Sequence, residues 1–479
     1  MKLDIVILAA GKGRRMNSDL PKVLQPLAGR PLLAHVIATC NQLPEARVHV
    51  VYGHGGDAVR AAFSDEKSLH WHLQAEQLGT GHAVGCAMST LTDNNSLVLV
   101  LYGDVPLVTG PTLERLIEQT EPRVAGHASP DDHDSAASEF PVLTDAVALL
   151  TLHAADPTGY GRIVRDRGDR VQRIVEEKDA DDSQRRLQEV NTGVLACRTG
   201  LLRRWLGHLD NANAQGEYYL TDVIEMAVAD GIPVNAQMVH DEDEVLGIND
   251  RIQLAAAETA LRRRTAHTLM RDGVTLADPA RLDVRGSLRC GRDVQIDVNC
   301  VFEGEVTLGD RVKVGPGAVI KDCTIAADSV IAANSVLEGA EVAGECTVGP
   351  MARLRPGAVL SHGARVGNFV EVKKSLIGAG SKVNHLTYIG DARIGAGVNV
   401  GCGTVTCNYD GRAKHKTVIE DGAFVGSGTM LVAPVKVGAK SYIGSGSTIT
   451  RDTVPGTLTV GRARQTTVEH WTPPGSTED

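Results

Sequence analysis

The sequence predicts an α/β chain in three parts: a Rossmann-like N-terminal domain, a helical linker and a C-terminal parallel β-helix of hexapeptide repeats. Three observations predict it. Up to about residue 250, short apolar runs alternate with stretches of helical periodicity. Residues 251–271 then run free of Gly and Pro and mix Leu254, Leu261 and Leu269 with Arg262, Arg263 and Arg264, the pattern of one long helix. Beyond them, aliphatic residues recur every six positions. The corresponding organisation is 1–251, 252–272 and 273–479, the last ending in a short tail.

In the first part, Asp4–Ala10, Val48–Tyr52, Leu97–Tyr102, Ala146–Leu152 and Gly193–Ala196 read as strands. Leu32–Cys40 and Pro111–Gln119 read as helices between them. Such alternation implies a mainly parallel sheet with ligands at the strands' C-terminal ends. The stretch Ala125–Thr144, with Ser-Pro-Asp-Asp-His-Asp-Ser, reads as a polar surface insertion.

In the third part, Val342, Val348, Leu354, Leu360, Val366 and Val372 are six residues apart; after a one-residue slip come Ile377, Val383 and Ile389. The spacing returns at Ile419, Val425, Leu431, Val437, Ile443 and Ile449. Six is neither the helical nor the simple strand period, and it marks a solenoid in which each short strand adds one inward aliphatic to a stacked row. Small residues beside each aliphatic permit the tight corners.

Composition narrows the function. Aromatics at 3% and 51 glycines suit many tight turns around small-residue layers. With 49 basic and 59 acidic residues, nothing supplies a basic face for a nucleic acid backbone. Nine scattered cysteines without a CxxC pair favour reduced thiols and a cytoplasmic setting. The apolar run at the N-terminus is broken by Gly11-Lys12-Gly13-Arg14-Arg15, so it reads as a buried strand rather than a signal peptide. No stretch is long enough to insert in a membrane.

The segment Leu8-Ala9-Ala10-Gly11-Lys12-Gly13-Arg14-Arg15-Met16, followed by Leu20-Pro21-Lys22, places a Gly-rich turn directly after the first strand, where backbone N–H groups can approach phosphate oxygens. A dinucleotide fold is the rival reading. Met16 stands where its third glycine would be, and Arg15 and Lys22 add cations it does not require. The string resembles the signature of sugar-nucleotide pyrophosphorylases. Gln74-Ala-Glu-Gln-Leu-Gly79-Thr80 offers amide and backbone groups suited to a base edge. Asp104, in Tyr102-Gly103-Asp104 at a strand end, can hold Mg²⁺ or simply cap a turn.

Over nearly its whole length the chain resembles the bacterial bifunctional N-acetylglucosamine-1-phosphate uridylyltransferase/glucosamine-1-phosphate N-acetyltransferases. The resemblance implies an N-terminal nucleotidyltransferase domain and a left-handed β-helix. It implies that Leu8, Ala9, Ala10, Gly11, Gln74, Gly79, Thr80, Tyr102 and Gly103 bind UTP, with Arg15 and Lys22 on its phosphates as catalytic groups. Gly161, Glu176 and Asn191 would hold the sugar of N-acetylglucosamine-1-phosphate, and Asp104 and Asn249 would ligate Mg²⁺. The product, UDP-N-acetylglucosamine, would feed peptidoglycan and lipopolysaccharide synthesis.

In the β-helix, polar residues that interrupt the repeat carry the chemistry: Arg355, Asn368 to Lys374, Asn384 to Tyr388, and the loop Cys407-Asn408-Tyr409-Asp410-Gly411-Arg412-Ala413-Lys414. Singly, Arg355 and Lys373 would more often be solvated charges. An acyl transfer to a sugar amine needs a base, and the His385 imidazole has a suitable pKa, with Glu371 available to orient it or support its charge. The resemblance assigns Arg355, Lys373, Tyr388 and Asn399 to glucosamine-1-phosphate. It gives Cys402, Asn408, Tyr409, Lys414, Ser427, Ser445 and Arg462 to acetyl-CoA. Cys402 stands where the family usually has alanine. The family's members form homotrimers, so a homotrimer is expected. Two rivals remain: a single-activity nucleotidyltransferase whose β-helix is structural or regulatory, and a β-helical zinc enzyme using His362, His385 and His415.

Overall fold

The computed structural model describes residues 2–121, 123–124 and 143–474. Residues 125–142 of the expected insertion lie outside them; Leu143–Thr144 pair antiparallel with Arg123–Val124. Contacts divide the chain into two compact units, Met1–Leu261 and Arg262–Asp479.

The first unit is built on the strand Leu3–Ala9, whose seven residues are all buried. It runs parallel between Ala46–Tyr52 and Leu97–Tyr102, with His70–Leu73 beyond. A strand with no solvent face is apolar wherever no polar partner is supplied, as Ile5, Val6, Ile7 and Leu8 are, and its one charge, Asp4, is buried with hydrogen-bond partners. Ile5 and Ile7 pack with Leu33 and Val36 on one face, and Val6 and Leu8 with Val84 and Ala87 on the other.

The sheet is mixed rather than mainly parallel. Glu189–Arg198 lies antiparallel to Leu97–Tyr102, to Val147–His153 and to Arg162–Arg165, and the last pairs antiparallel with Val171–Val175. Parallel neighbours need a long crossover. These later strands are joined by short connections without an intervening α-helix, so the chain turns straight back. Pairing slips between Asn191 and Leu195. Gly193 sits in that slip at φ 85°, against the Tyr102 ring, where a Cβ would collide with the aromatic carbons.

The expected long helix spans Arg251–Arg271. Leu254, Ala257 and Ala260 are buried with Met16, Leu27 and Leu32 in the first unit. Ala266 and Leu269 are buried with Val274 and Leu282 in the second. Among the described residues no helix is long and apolar enough to cross a membrane.

The second unit is a coil of two- to four-residue parallel strands after two longer opening ones. Its register advances 18 residues from Val342 to Leu360 and 17 from Leu360 to Ile377, three hexads per coil with one slip. Every aliphatic of the six-residue pattern is buried, from Val342 to Ile449. Ile394 pairs with Ile419 across a longer interval because residues 408–416 leave the coil as a loop. All nine cysteines are free thiols, and burial raises those at Cys40 and Cys197 to about 12.

One buried polar cluster bears on stability. Asp4 accepts from Arg47, His49 and Ser96, and His49 also meets His72 at 3.1 Å. His70 stacks on His49 at 4.9 Å. Burial would raise the Asp4 carboxyl, but hydrogen bonds from His49, Arg47 and Ser96 hold it below the usual range. Burial, then the neighbouring His49, depresses His70 and His72. Histidines depressed on folding take up protons more readily when unfolded, so their stabilisation is complete above about pH 6.5 and falls as pH drops from there towards the folded values. The carboxylate acts in the same direction at lower pH. The melting midpoint is therefore expected to fall between about pH 7.5 and about pH 5.5. His72→Gln, which keeps a donor for His49, should flatten that slope; an unchanged slope would contradict the assignment.

Candidate functional site

Each unit presents a candidate site. In the first, a cavity of about 270 Å³ opens at the C-terminal ends of the parallel strands. Leu8, Ala9, Ala10, Gly11, Lys22, Gln74, Gly79, Thr80, Tyr102 and Asp104 line it, all of them anticipated from the motifs. The Gly103 N–H donates to the Leu8 carbonyl at 2.9 Å, which joins the Gly-rich turn to the Tyr102–Asp104 strand end. Gln74 is held by its N–H on the Tyr52 carbonyl at 2.8 Å and its side-chain amide on the Gly79 carbonyl at 3.1 Å. Gly79 has φ 114°, and a Cβ there would lie 2.8 Å from the Tyr218 nitrogen.

That crowding brings in a wall residue the motifs missed, Glu217. The Tyr218 N–H donates to Leu78, Gly81 donates to the Tyr218 carbonyl, and Leu220 donates to the Thr80 hydroxyl. Residues 217–220 thus press against the Gly79-Thr80 turn. Their only sequence signal is the turn-forming Gly216.

The Lys22 ammonium donates to the Asp104 carboxylate and, at 3.1 Å, to the Asn249 side-chain oxygen. Asn249 is brought there by the Ile248 N–H on the Asp104 carbonyl at 2.9 Å. Two oxygens therefore face one cation. Such a hard oxygen pair fits Mg²⁺, which completes its shell with water and phosphate oxygens. Arg15 lies exposed on the turn Arg14–Met16, outside the cavity walls, with Met16 buried beneath.

Gly161, Glu176 and Asn191 form a neighbouring group. The Asn191 N–H donates to the Gly161 carbonyl at 2.8 Å, and a Cβ on Gly161 would come 3.5 Å from the Glu176 carboxylate. Burial raises Glu176, which accepts from Thr221 at 2.9 Å. It opens on a second cavity, with Asp179, Asp210 and Asp222, rather than on the first. Burial and the adjoining Asp210 push Asp222 up to about 6. Tyr102 stands between the two groups: burial raises its phenol, and Glu176 and Asp104 raise it further.

In the second unit, Arg355 binds Glu371 at 2.8 Å. Lys373 is depressed first by its contact with Lys414, then by the charge of Lys414 and of Arg355. Lys414 thus stands in one group with Lys373 and Arg355, three cations of like charge held close together. The loop makes this possible: Tyr409 bridges Lys414, and Asp410 accepts from Arg412, Ala413 and His415. Asn408 donates to Asp391 at 2.6 Å and approaches the Tyr388 hydroxyl at 3.5 Å. Asp391 had no signal in the sequence beyond its charge.

Glu371 is not the group that holds His385. Pairing sets Glu371 against Arg353 and Tyr388 on one face of the coil, while His385 pairs with Asn368 on another. His385 Nδ1 meets the Asn368 side-chain oxygen at 2.8 Å. Asn399 lies on the sheet of His385, between Lys382 and Phe424. Cys402, Ser427 and Ser445 follow along the same corner. Leu386 accepts from Gly403, Cys402 from Gly428, and Ser427 from Gly446. The Arg462 chain reaches the side of Gly446, 3.8 Å from where a Cβ would stand. Tyr409 is exposed. The three-histidine zinc arrangement is not formed: His362 meets Glu345 and His415 meets Asp410. Among the described residues no group of three or more His, Cys, Asp or Glu is arranged for a metal ion.

Comparison with known proteins finds relatives for both units. Residues 5–180 match the family model of the MobA-like NTP transferase domain, 284–377 that of the GMPPB C-terminal domain, and 416–451 that of the bacterial transferase hexapeptide (six repeats). Bifunctional protein GlmU of Bordetella parapertussis is 54% identical over 475 residues, 98% of this chain and 99% of the relative. Its namesake from Azoarcus sp. is 52% identical over 472 residues, covering 98% of this chain and 99% of that one. The namesake from Xanthomonas axonopodis pv. citri is 52% identical over 474 residues, 99% and 98% of the two chains.

The cation cluster is directly testable. Lys414→Met should weaken binding of a sugar phosphate by roughly tenfold in titration calorimetry, with a shallower salt dependence. Lys374→Met, one residue from Lys373 but exposed, should change neither; equal effects from both would mean a diffuse charge rather than a site.

Proposed function

The chain belongs to the family of bifunctional GlmU proteins, and from that premise we infer the work of each site. The protein is a bifunctional transferase of UDP-N-acetylglucosamine synthesis, with uridylyltransferase and acetyltransferase activities. Acetyl transfer to glucosamine-1-phosphate comes first and belongs to the β-helix. Uridylyl transfer from UTP to the resulting N-acetylglucosamine-1-phosphate, with release of pyrophosphate, belongs to the N-terminal unit.

For acetyl transfer, Arg355, Lys373 and Lys414 hold the sugar phosphate, with Tyr388 and Asn399 against the sugar. Glu371 steadies the Arg355 guanidinium. His385 takes the ammonium proton, and the freed amine attacks the thioester of acetyl-CoA directly, so no acyl-enzyme is needed. The corner of Cys402, Ser427 and Ser445 receives the coenzyme, with Asn408, Tyr409 and Arg462 contacting it. The observation that carries this reading is the convergence of three cations around the strand that pairs with Tyr388–Gly390, three residues on from His385. A purely structural β-helix has no use for that costly grouping.

For uridylyl transfer, Gln74, Gly79 and Thr80 meet the base, and the turn from Leu8 to Gly11 meets the phosphates. Gly161, Glu176 and Asn191 hold the sugar. In-line attack on the α-phosphorus needs alignment and charge neutralisation more than an acid or base. Lys22 and Arg15 supply positive charge. A Mg²⁺ held by Asp104 and Asn249 would supply further neutralisation when bound. The hexapeptide coil supports assembly of the chain as a homotrimer, working in the cytoplasm.

The two activities should separate by mutation. Asp104→Ala should abolish pyrophosphate release and leave CoA release intact. His385→Ala should lower CoA release by roughly 10²–10⁴-fold, with partial recovery at higher pH, and leave pyrophosphate release intact. Loss of both activities in either folded variant would contradict separate sites.

A further inference from the structure

We propose that Asn368 is the positioning residue of the acetyl-transfer site, fixing the tautomer and aim of His385. The inference rests on the base role given to His385 above and deepens it. A neutral imidazole can act as a base at only one nitrogen, and the hydrogen bond made by the other decides which. The Asn368 side-chain oxygen lies 2.8 Å from His385 Nδ1. An amide oxygen only accepts, so Nδ1 carries the proton and the Nε2 lone pair is left for the substrate ammonium.

The contact is built into the coil. Asn368 and His385 are register partners on adjacent turns, following the buried pair Val366 and Val383. The Asn368 carbonyl accepts from the Leu386 N–H at 3.1 Å, so one residue holds both the ring and the backbone after it. From the other side, the Thr387 hydroxyl donates to the His385 carbonyl at 2.6 Å. Gly367 completes the arrangement. A Cβ there would run into the Asn384 backbone, so glycine lets the two coils close up one residue before the pair. Glu371 is engaged by Arg355 and lies on another face.

An amide rather than a carboxylate has a chemical consequence. It orients the ring without adding the negative charge that would stabilise imidazolium. The proton moves from substrate nitrogen to Nε2, and Nδ1–H is never transferred.

The test uses the full-length protein and three variants. Asn368→Leu, similar in size but unable to accept, should lower kcat for CoA release roughly 10–100-fold. The KM for glucosamine-1-phosphate and the affinity for acetyl-CoA should stay within about twofold, the latter reporting an intact coil. Asn368→Asp should recover most of the rate and move the acidic limb of the pH profile up by about one unit. His385→Ala, run in parallel, separates the two readings. Wild-type kcat in Asn368→Leu alongside loss in His385→Ala would overturn the positioning role alone. An unmoved acidic limb in Asn368→Asp would also overturn it. Wild-type rates in His385→Ala would overturn the base assignment and the inference with it.

Discussion

Parallel register is the constraint on which both sites depend. In the first unit, Leu3–Ala9 is pinned between two parallel neighbours, so the Gly-rich turn and Asp104 leave the sheet at the same edge. In the second, a buried aliphatic from each hexad locks every coil over the last. Side chains 17 or 18 residues apart then stand side by side whatever lies between them in sequence. A slip of one residue would turn every inward aliphatic outward, and the apolar rows make that slip costly.

The chemistry follows from what this rigidity permits. Lys22, Asp104 and Asn249 come from three distant segments to a common point, and Lys373 and Lys414 are held close despite their repulsion. Such arrangements cost stability locally. They persist because the surrounding backbone is over-determined: by the sheet and the Ile248–Asp104 hydrogen bond in one case, by the folded loop around Asp410 in the other. Glycines matter at the two closest approaches, Gly79 against Tyr218 and Gly367 against Asn384.

Much of this was legible in the residues. The hexad period announced the coil because inward aliphatics repeat without exception where the strands are regular. The first strand and its turn announced the cavity at the strand ends because glycines, cations and an apolar run are local signals. Long-range pairing was less legible. The sheet turned out mixed because short connections, which carry no helical period, decide direction. Glu217 entered the cavity through a backbone pairing that leaves no chemical motif. Glu371 was read as available to orient His385 or support its charge because it is a carboxylate in the preceding polar run, whereas in a triangular coil residues of neighbouring runs often stand on different faces. Asn368 holds that place, as an uncharged residue whose meaning appears only when coil is laid on coil.

The central claim is that each register builds a complete and separate site. The most direct measurement mixes two purified variants, Asp104→Ala and His385→Ala, with glucosamine-1-phosphate, acetyl-CoA and UTP, and follows UDP-N-acetylglucosamine. Each alone should make little product. Together they should make it at a rate approaching the wild type, because the acetylated sugar phosphate leaves one protein and enters the other. A mixture no more active than either variant would contradict two independent sites.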